Sequence, residues 1–365
     1  MYSFELSEEQ QMLVDAVGKY ASNDLRTAAR DAEESRELPK KLVSKGWELG
    51  VLQASIPEAY GGFGEHSAVT GVLAVEELAF GDLTGALAVM CPSLFAIPIL
   101  LSGNDEQKKE YLSKIIAGEW HPYTAALIEY VFDFDANDLR SQAESTDNEY
   151  ILSGEKAFVP FAKDAEAILV YAKCDGRTQG FIISKNTKGL IIHDEREKLM
   201  GLNALPLYRV KLDDVKVPLS NRLGGAAGHD FEPVLASMRL ASASTAIGVA
   251  RAAFEYSRDY AKEREAFGVK IAQKQAIAFM LAEMRTEIEA MRLLTWEAAW
   301  KLDQGKADAF TEAYLAAIGA ADMAMMVTDR AVQILGGHGY IREHPVEMWM
   351  RNGRGFAMLT GLAIV

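Results

Sequence analysis

The feature that most constrains the fold is a change in hydrophobic period, which occurs twice along the chain. Residues 1–121 place apolar side chains at the three- and four-residue spacing of amphipathic helices. From about Tyr123 the pattern becomes short apolar runs separated by Gly, Asn and Asp, which is typical of strands. Long helical patterns return after Pro233. We therefore expect an α+β protein built from successive helical, β and helical units.

These patterns predict three domains. They are an N-terminal α-helical domain (1–121), a middle antiparallel β-barrel or sandwich domain (122–230) and a C-terminal four-helix bundle (231–365). Strands are predicted at residues 150–152, 167–172, 180–184, 190–192 and 208–212. Long helices are predicted from 233 to about 262, over 275–303 and over 307–335, with a last helix after Pro345.

Charge and cysteine content exclude several classes of protein. The chain has 52 acidic and 38 basic residues and a formal net charge of −14, which disfavours non-specific nucleic-acid binding. Cys91 and Cys174 have no CxxC spacing and lie in apolar surroundings, so we expect buried free thiols. No HExxH motif or Cys/His cluster is present, and we predict no metal site.

The start of the chain, MYSFELSEEQQ, lacks the basic and apolar regions of a secretory signal. The apolar run near 94–101 is interrupted by Pro98 and is too short to span a bilayer. We therefore expect a soluble, cytoplasmic protein without membrane insertion.

The turn between the first two helices of the C-terminal unit has the composition of a ligand site. Arg264 lies between two glutamates and is followed by Phe267 and Gly268. An arginine beside an aromatic residue and a glycine can hold a fixed cation next to a bound phosphate. The same residues could also form an ordinary corner between helices.

This turn resembles the R-x-x-F-G turn, with its following Q-A-I helix, of the acyl-CoA dehydrogenase family. Other motifs of this family occur along nearly the whole chain, in the order in which the family has them. They are IPEAYGGFG at 56–64, EELAFGD at 76–82, GNDEQKKEYLSKIIAGE at 103–119, DDVKVP at 213–218 and QILGGHGY at 333–340. Three or more motifs in order are far more specific than any one of them.

The resemblance implies an FAD enzyme that desaturates acyl-CoA thioesters and shares each flavin between two subunits. The β domain of one subunit holds the flavin ring, and the helical bundle of its neighbour holds the pyrophosphate and adenosine. The bundle half of this site is present here, with Arg264 as the pyrophosphate partner. Its other predicted members are Phe267, Gly268, Gln275, Gln333, Gly336 and Gly337. Arg239 resembles a substrate-side arginine of the family, although an ion pair within the bundle explains it equally well.

The family's catalytic glutamate has no counterpart in this sequence. Alignment through Arg351 and Gly361 places Thr360 at that position. Some family members carry the base one bundle helix earlier, where this chain has Met238. Threonine has no accessible ionisation near neutral pH and cannot serve as a general base. The resemblance therefore implies no catalytic residue in this chain.

The flavin-ring half of the site is also altered. Ile128 replaces the threonine and Phe134 the serine of the family's T-E-P-x-A-G-S-D loop. In the [WF]-I-T-N strand, Phe158 retains the aromatic position, whereas Pro160 replaces the threonine and has neither hydroxyl nor N–H to donate. Phe132, Phe134 and Phe161 are bulky, and we expect them to fill the ring pocket.

The leading hypothesis is that the chain is the degenerate subunit of an α2β2 acyl-CoA dehydrogenase. Its partner would be a second family member that carries the catalytic glutamate, with FAD shared at the interface. The resemblance further implies acyl-CoA as substrate, electron-transfer flavoprotein as acceptor, and a role in fatty acid or steroid side-chain β-oxidation.

Two alternatives remain open at this point. One is a self-sufficient flavoenzyme with a different acid, for which Glu129, Glu343 and Glu347 are candidates, or a lyase that needs no α-proton abstraction. An ion pair explains the presence of Glu347 more readily than a catalytic role does. The other is a non-catalytic acyl-CoA-binding or scaffold protein. The sequence does not define the acyl group.

Overall fold

The N-terminal unit of the computed structural model, which describes residues 3–365, consists of helices. The first begins at a capping box, in which Ser7 and Gln10 each accept a hydrogen bond from the backbone N–H of the other. Asn104 and Gln107 form the same motif at the last. The helices are α1 (Glu8–Tyr20), α2 (Arg26–Ser35), α3 (Lys40–Trp47), α4 (Val51–Ala54), α5 (Ala68–Gly81), α6 (Leu83–Val89), α7 (Ser93–Ser102) and α8 (Asp105–Ile116).

The middle unit is a sheet of seven strands within the described residues. The strands are β1 (Thr124–Ala126), β2 (Gln142–Ser145), β3 (Glu149–Pro160), β4 (Ala167–Cys174), β5 (Arg177–Ser184), β6 (Leu190–Arg196) and β7 (Leu207–Pro218). Most neighbours are antiparallel, as the turn-rich spacing predicts. However, β1 pairs with β4 in parallel, and β2 meets β4 in parallel at one position. Parallel pairing requires a long connection, and the segment from β1 to β4 contains two further strands.

The pairing of β3 with β7 contains two irregularities, and the second lies between Lys156 and Val159. There Phe158 adopts a φ of 55°, a left-handed conformation that is uncommon for a non-glycine residue. Phe161, just beyond the strand, has a φ of 51°. Such strained residues are enriched at functional sites, and these two bracket the predicted flavin-ring strand.

The C-terminal unit is a helical bundle. Its elements are α9 (Glu232–Glu263), β8 (Glu265–Ala266), β9 (Val269–Lys270), α10 (Gln275–Asp303), α11 (Ala309–Leu335), α12 (Gly337–Tyr340) and α13 (Val346–Gly353). The long helix α9 lies at the centre and packs against α5, α10, α11 and α13. The predicted order of helical, β and helical units is therefore confirmed, together with the fold class.

Close packing and buried ion pairs fix α9 against α5. At Gly248 the two backbones approach so closely that an added methyl group would lie 2.4 Å from the Glu76 carbonyl oxygen. The Glu76 carboxylate is 2.8 Å from both Arg251 of α9 and Arg292 of α10. Both arginines are mostly buried, so these charges are paired rather than left to water.

By length and composition alone, two helices of the described chain could cross a membrane, namely α9 and α11. A third candidate arises if the bent pair α6 and α7 counts as one span. The apolar window of α9 is 89% buried inside the protein, against 33% for α11. The apolar character of α9 is thus explained by its central position, while α11 leaves an apolar face exposed. Cys91 and Cys174 are buried and free, as predicted.

We predict that Gly248→Ala lowers the free energy of unfolding by about 1–3 kcal/mol, because its methyl group would overlap the α5 backbone. The matched control is Gly319→Ala in α11, whose methyl group would meet only the flexible end of Met291. Chemical denaturation of both variants measures the difference. Equal stability of the two variants would show that α5 and α9 are not in such close contact.

Candidate functional site

The predicted phosphate turn is a short hairpin at the end of α9. The N–H of Arg264 donates to the Tyr260 carbonyl at 2.8 Å, and the Arg264 carbonyl accepts from the N–H of Ile271 at 2.9 Å. Between these bonds β8 pairs with β9, and the turn residues Phe267 and Gly268 have φ values of 56° and 78°. Two successive positive φ values are typical of a tight two-residue hairpin.

The glycine-rich loop follows α11. Gly336 has a φ of 60°, and Gly337 begins the short helix α12. A methyl group added at Gly336, Gly337 or Gly268 would meet nothing within 4 Å. The space in front of these three backbone positions is therefore open to a ligand.

The turn and the loop lie at the same end of the bundle. Because α9, α10 and α11 alternate in direction, the end of α9, the start of α10 and the end of α11 are neighbours. Gln275 is the first residue of α10, and Gln333 lies in the last turn of α11. The Tyr260 hydroxyl is 2.6 Å from Nδ1 of His338, which connects the end of α9 directly to the loop.

All seven predicted cofactor residues are exposed to solvent, and Phe267 is 94% exposed. The Arg264 guanidinium forms no ion pair with any residue of 3–365, unlike Arg251 and Arg292 in the core. An unpaired guanidinium beside the open backbone of Gly268 and Gly337 and the N-terminus of α10 suits a pyrophosphate. These residues fit the phosphate part of FAD, but they form only one wall of a site.

The predicted flavin-ring positions Ile128, Phe134 and Phe158 also lie close together, beside β3. The N–H of Ala157 donates to the Ile128 carbonyl at 2.9 Å, which fixes the start of the altered loop to β3. A methyl group added at Gly361 would lie 3.1 Å from Leu127 and 3.6 Å from Ile128. Gly361, adjacent to the predicted base position, is therefore packed against Ile128.

Aromatic side chains occupy this region. The rings of Phe161 and Trp120 lie 5.1 Å apart, and those of Phe158 and Tyr130 lie 6.1 Å apart. Phe134 is half-buried and packs against the core. The expectation for Phe132 is wrong, because its side chain is fully exposed in the turn after Glu129 and fills no pocket.

Pro160, the last residue of β3, is buried and pairs with Leu207 of β7. The cavity beside Phe158 measures about 190 Å³. Pockets that hold ligands of drug size typically measure about 300–1,000 Å³. Pro160 has no hydroxyl or N–H with which to replace the hydrogen bond of the family's threonine, and the cavity is smaller than a typical ligand pocket.

Glu129, one candidate for an alternative acid, is held in a buried ion pair. Its carboxylate is 2.8 Å from Lys156 Nζ and accepts hydrogen bonds from the N–H groups of Arg140 and Ser141. Burial alone would raise the pKa of Glu129, but Lys156 and these donors outweigh it and lower the pKa. A carboxylate in this arrangement is a structural anion rather than a base.

The other two candidates for an alternative acid, Glu347 and Glu343, are also poorly placed to act as a base. Glu347 pairs with Arg30 at 2.6 Å and with Arg351 at 2.9 Å, as its predicted ion pair requires. Burial would raise its pKa, yet the two arginines lower it. Glu343 lies exposed in the loop before α13.

Of the remaining predicted residues, Met238 and Arg239 lie near the start of α9, and Thr360 follows α13. Met238 is fully buried, and Thr360 is half-buried in the turn before Gly361. Arg239 has no ion pair among residues 3–365 and instead places its guanidinium 4.9 Å from the Tyr314 ring centre. Burial lowers the pKa of Arg239, and nearby Glu232 opposes that shift.

Sequence reasoning missed one feature here. Residues Leu362–Val365 are buried between the N-terminal helices and α9. Four apolar residues without a period gave only a general indication of burial. Among the described residues, no group of three or more His, Cys, Asp or Glu side chains could hold a metal ion.

Comparison with known proteins gives consistent matches along the chain. Residues 7–119, 129–215 and 231–363 match the N-terminal, middle and C-terminal domains of acyl-CoA dehydrogenase, respectively. The chain is similar to caffeyl-CoA reductase–Etf complex subunit CarC of Acetobacterium woodii. The two are 35% identical over 370 residues, covering 98% of this chain and 96% of the relative.

Two solved structures extend the likeness to the fold. One is butyryl-CoA dehydrogenase from Megasphaera elsdenii, with a TM-score of 0.88, 31% identity, and coverage of 100% of this chain and 96% of that one. The other comes from work on the electron transferring flavoprotein of Acidaminococcus fermentans. It has a TM-score of 0.89, 33% identity, and coverage of 99% and 96%.

We predict that Glu129→Gln destabilises the protein by about 3–5 kcal/mol, because it leaves the buried Lys156 ammonium without its counter-charge. Since the folded pKa of Glu129 is lowered, this stabilisation is present at neutral pH and is lost as the pH falls through that pKa. Denaturation at pH 7 measures the loss. Glu144→Gln, on the exposed face of β2, is the matched control, and a similar loss there would contradict the account.

Proposed function

The chain belongs to the acyl-CoA dehydrogenase family of flavoprotein oxidoreductases that act on CH–CH bonds, and on that premise we propose that it completes the active site of a different subunit. In this proposal it forms a hetero-oligomer with a second family member that carries the catalytic glutamate. It contributes the pyrophosphate and adenosine half of an FAD site and has no catalytic base of its own.

The observation that supports this proposal is the contrast between the two half-sites. The half that faces outward keeps an unpaired arginine, Arg264, and open backbone at Gly336 and Gly337. The half that this chain would use itself has Ile128 and Pro160 in place of hydrogen-bonding residues. Random loss of function would be expected to affect both halves alike.

FAD, when bound, supplies the acceptor for the β-hydride of the acyl-CoA. The residues of this chain act on its phosphates. Arg264 neutralises pyrophosphate charge, and Gly337 lets phosphate oxygen atoms approach the backbone where a Cβ would keep them away. Gln275 and Gln333 add amide hydrogen bonds beside the N-terminus of α10.

The partner supplies the flavin-ring pocket and the base that removes the α-proton. The positions of Glu129 and Glu347 agree with a base supplied by the partner, because ion pairs hold both of these carboxylates in this chain. The same ion pairs disfavour a self-sufficient enzyme that uses either of them. A scaffold role would leave the open phosphate turn without a purpose.

The exposed face of the helical bundle, from the start of α11 to the phosphate turn, suits a protein partner. Helix α11 exposes Tyr314, Leu315, Ile318 and Met325 along one side, and Phe279 on α10 and Tyr340 on α12 are also exposed. Apolar side chains grouped in this way mark interaction sites rather than free surface. We assign this face to the second subunit. Two of the similar proteins come from Etf systems, which supports an electron-transfer flavoprotein as acceptor.

We predict that Arg264→Ala removes flavin from the complex isolated from its native host through an affinity tag on this chain. A charge-assisted contact contributes about 1.5–3 kcal/mol, so flavin affinity should fall by roughly 10- to 150-fold. The FAD released on denaturation, relative to protein, measures the effect. The matched control is Lys262→Ala, which removes an exposed cation from the last turn of α9 and should retain flavin. Unchanged flavin content in Arg264→Ala would disprove the donated half-site.

We also predict that adding a carboxylate at a family base position, as in Thr360→Glu or Met238→Glu, gives no dehydrogenase activity to this chain alone. The flavin-ring pocket would still lack its donors at Ile128 and Pro160. Dye reduction with butyryl-CoA is the assay, and circular dichroism confirms folding. Activity in either variant would show that only the base is missing.

A further inference from the structure

The segment Leu362–Val365 lies inside the protein although it follows a predicted catalytic position. Its four residues are between 0% and 5% exposed. Ile364 is fully buried and belongs to the same apolar cluster as Met238 of α9. The segment is thus part of the core.

Polar and close contacts fix the segment between α5 and α9. The Val365 carbonyl accepts a hydrogen bond from the Ser237 hydroxyl and lies 3.3 Å from Nε2 of His66. On the α5 side, a methyl group added at Gly71 would lie 2.7 Å from Cβ of Val365. Helix α5 therefore approaches the segment as closely as a glycine permits.

The segment also closes against the β domain. Gly361, which precedes it, has a φ of 104° and packs on Leu127 and Ile128. This conformation is accessible to glycine and strained for other residues. It turns the chain inward immediately after Thr360.

These contacts lie beside the two positions at which the family resemblance implies a base. A base must lie within hydrogen-bond reach of the proton that it removes, so the α-carbon would lie beside Thr360 or Met238. The segment begins next to Thr360 and is buried with Met238. Resting on the proposed function, we propose that Leu362–Val365 permanently fills the acyl compartment of this chain. The complex then has acyl sites only in its partner subunits.

Hydrogen–deuterium exchange of the native complex, with and without octanoyl-CoA, tests this proposal. Backbone amides of residues 362–365 should exchange slowly, and saturating octanoyl-CoA should not accelerate them. Fast exchange without ligand, or acceleration by octanoyl-CoA, would show that the segment is displaced and would overturn the proposal.

Binding stoichiometry gives an independent test. Calorimetric titration of the native complex should show one octanoyl-CoA bound per pair of unlike subunits, and two per pair would overturn the proposal. For this chain alone, butyryl-CoA and octanoyl-CoA should bind with equal affinity. Buried methylene groups would otherwise tighten octanoyl-CoA by roughly 200-fold over the four additional carbons.

A variant that ends at Gly361 should, if it folds, bind octanoyl-CoA more tightly than butyryl-CoA. Equal affinity for the two in a folded variant would contradict the proposal. Exchange on the intact protein gives an answer even if that variant does not fold. Failure here is distinct from failure of the proposed function, which is read from the flavin content of Arg264→Ala. If Arg264→Ala loses flavin while the unmodified complex binds two acyl groups per pair, the donated half-site is supported and only the filled acyl compartment is wrong.

Discussion

The close packing of α9 against α5 is the constraint on which the rest of the structure depends. Gly248 lets the two backbones approach, and Glu76 pairs with Arg251 and Arg292 across the contact. With α9 fixed in this way, its middle lies inside the protein and its last turn reaches the surface. One helix therefore carries both the buried Met238 and, directly after its end, the exposed Arg264.

The two halves of the site differ in their relation to stability. Arg264 and Gly337 are exposed and support no packing or ion pair of the described chain, so the fold does not require these residue types. Gly336 differs, because its φ of 60° favours glycine. In contrast, Ile128 and Pro160 are buried and contribute to the core. Apolar residues in the inner half thus support the fold of this subunit, whereas under the proposed function the outer half serves a ligand.

Periodicity was sufficient for the order of units, because long helical segments such as α9 and α10 contrast with the short, turn-separated apolar runs of the middle unit. It did not give the parallel pairing of β1 with β4, which depends on contacts between distant residues. Glu347 could be recognised as a member of an ion pair from the sequence. The exposure of Phe132 could not, because an aromatic residue type does not determine whether its side chain points to the core or to solvent. Neither could the burial of Leu362–Val365, because a short apolar run has no period. The functional roles at Thr360 and Gln275 came from family resemblance and remain predictions.

The proposal that this chain donates half of a flavin site to a different subunit can be tested by purifying the tagged chain from its native host, followed by native mass spectrometry and a visible spectrum. We expect a complex of two unlike family members with one flavin per pair, and a colourless protein when this chain is produced alone. A yellow homo-oligomer with one flavin per chain would contradict it.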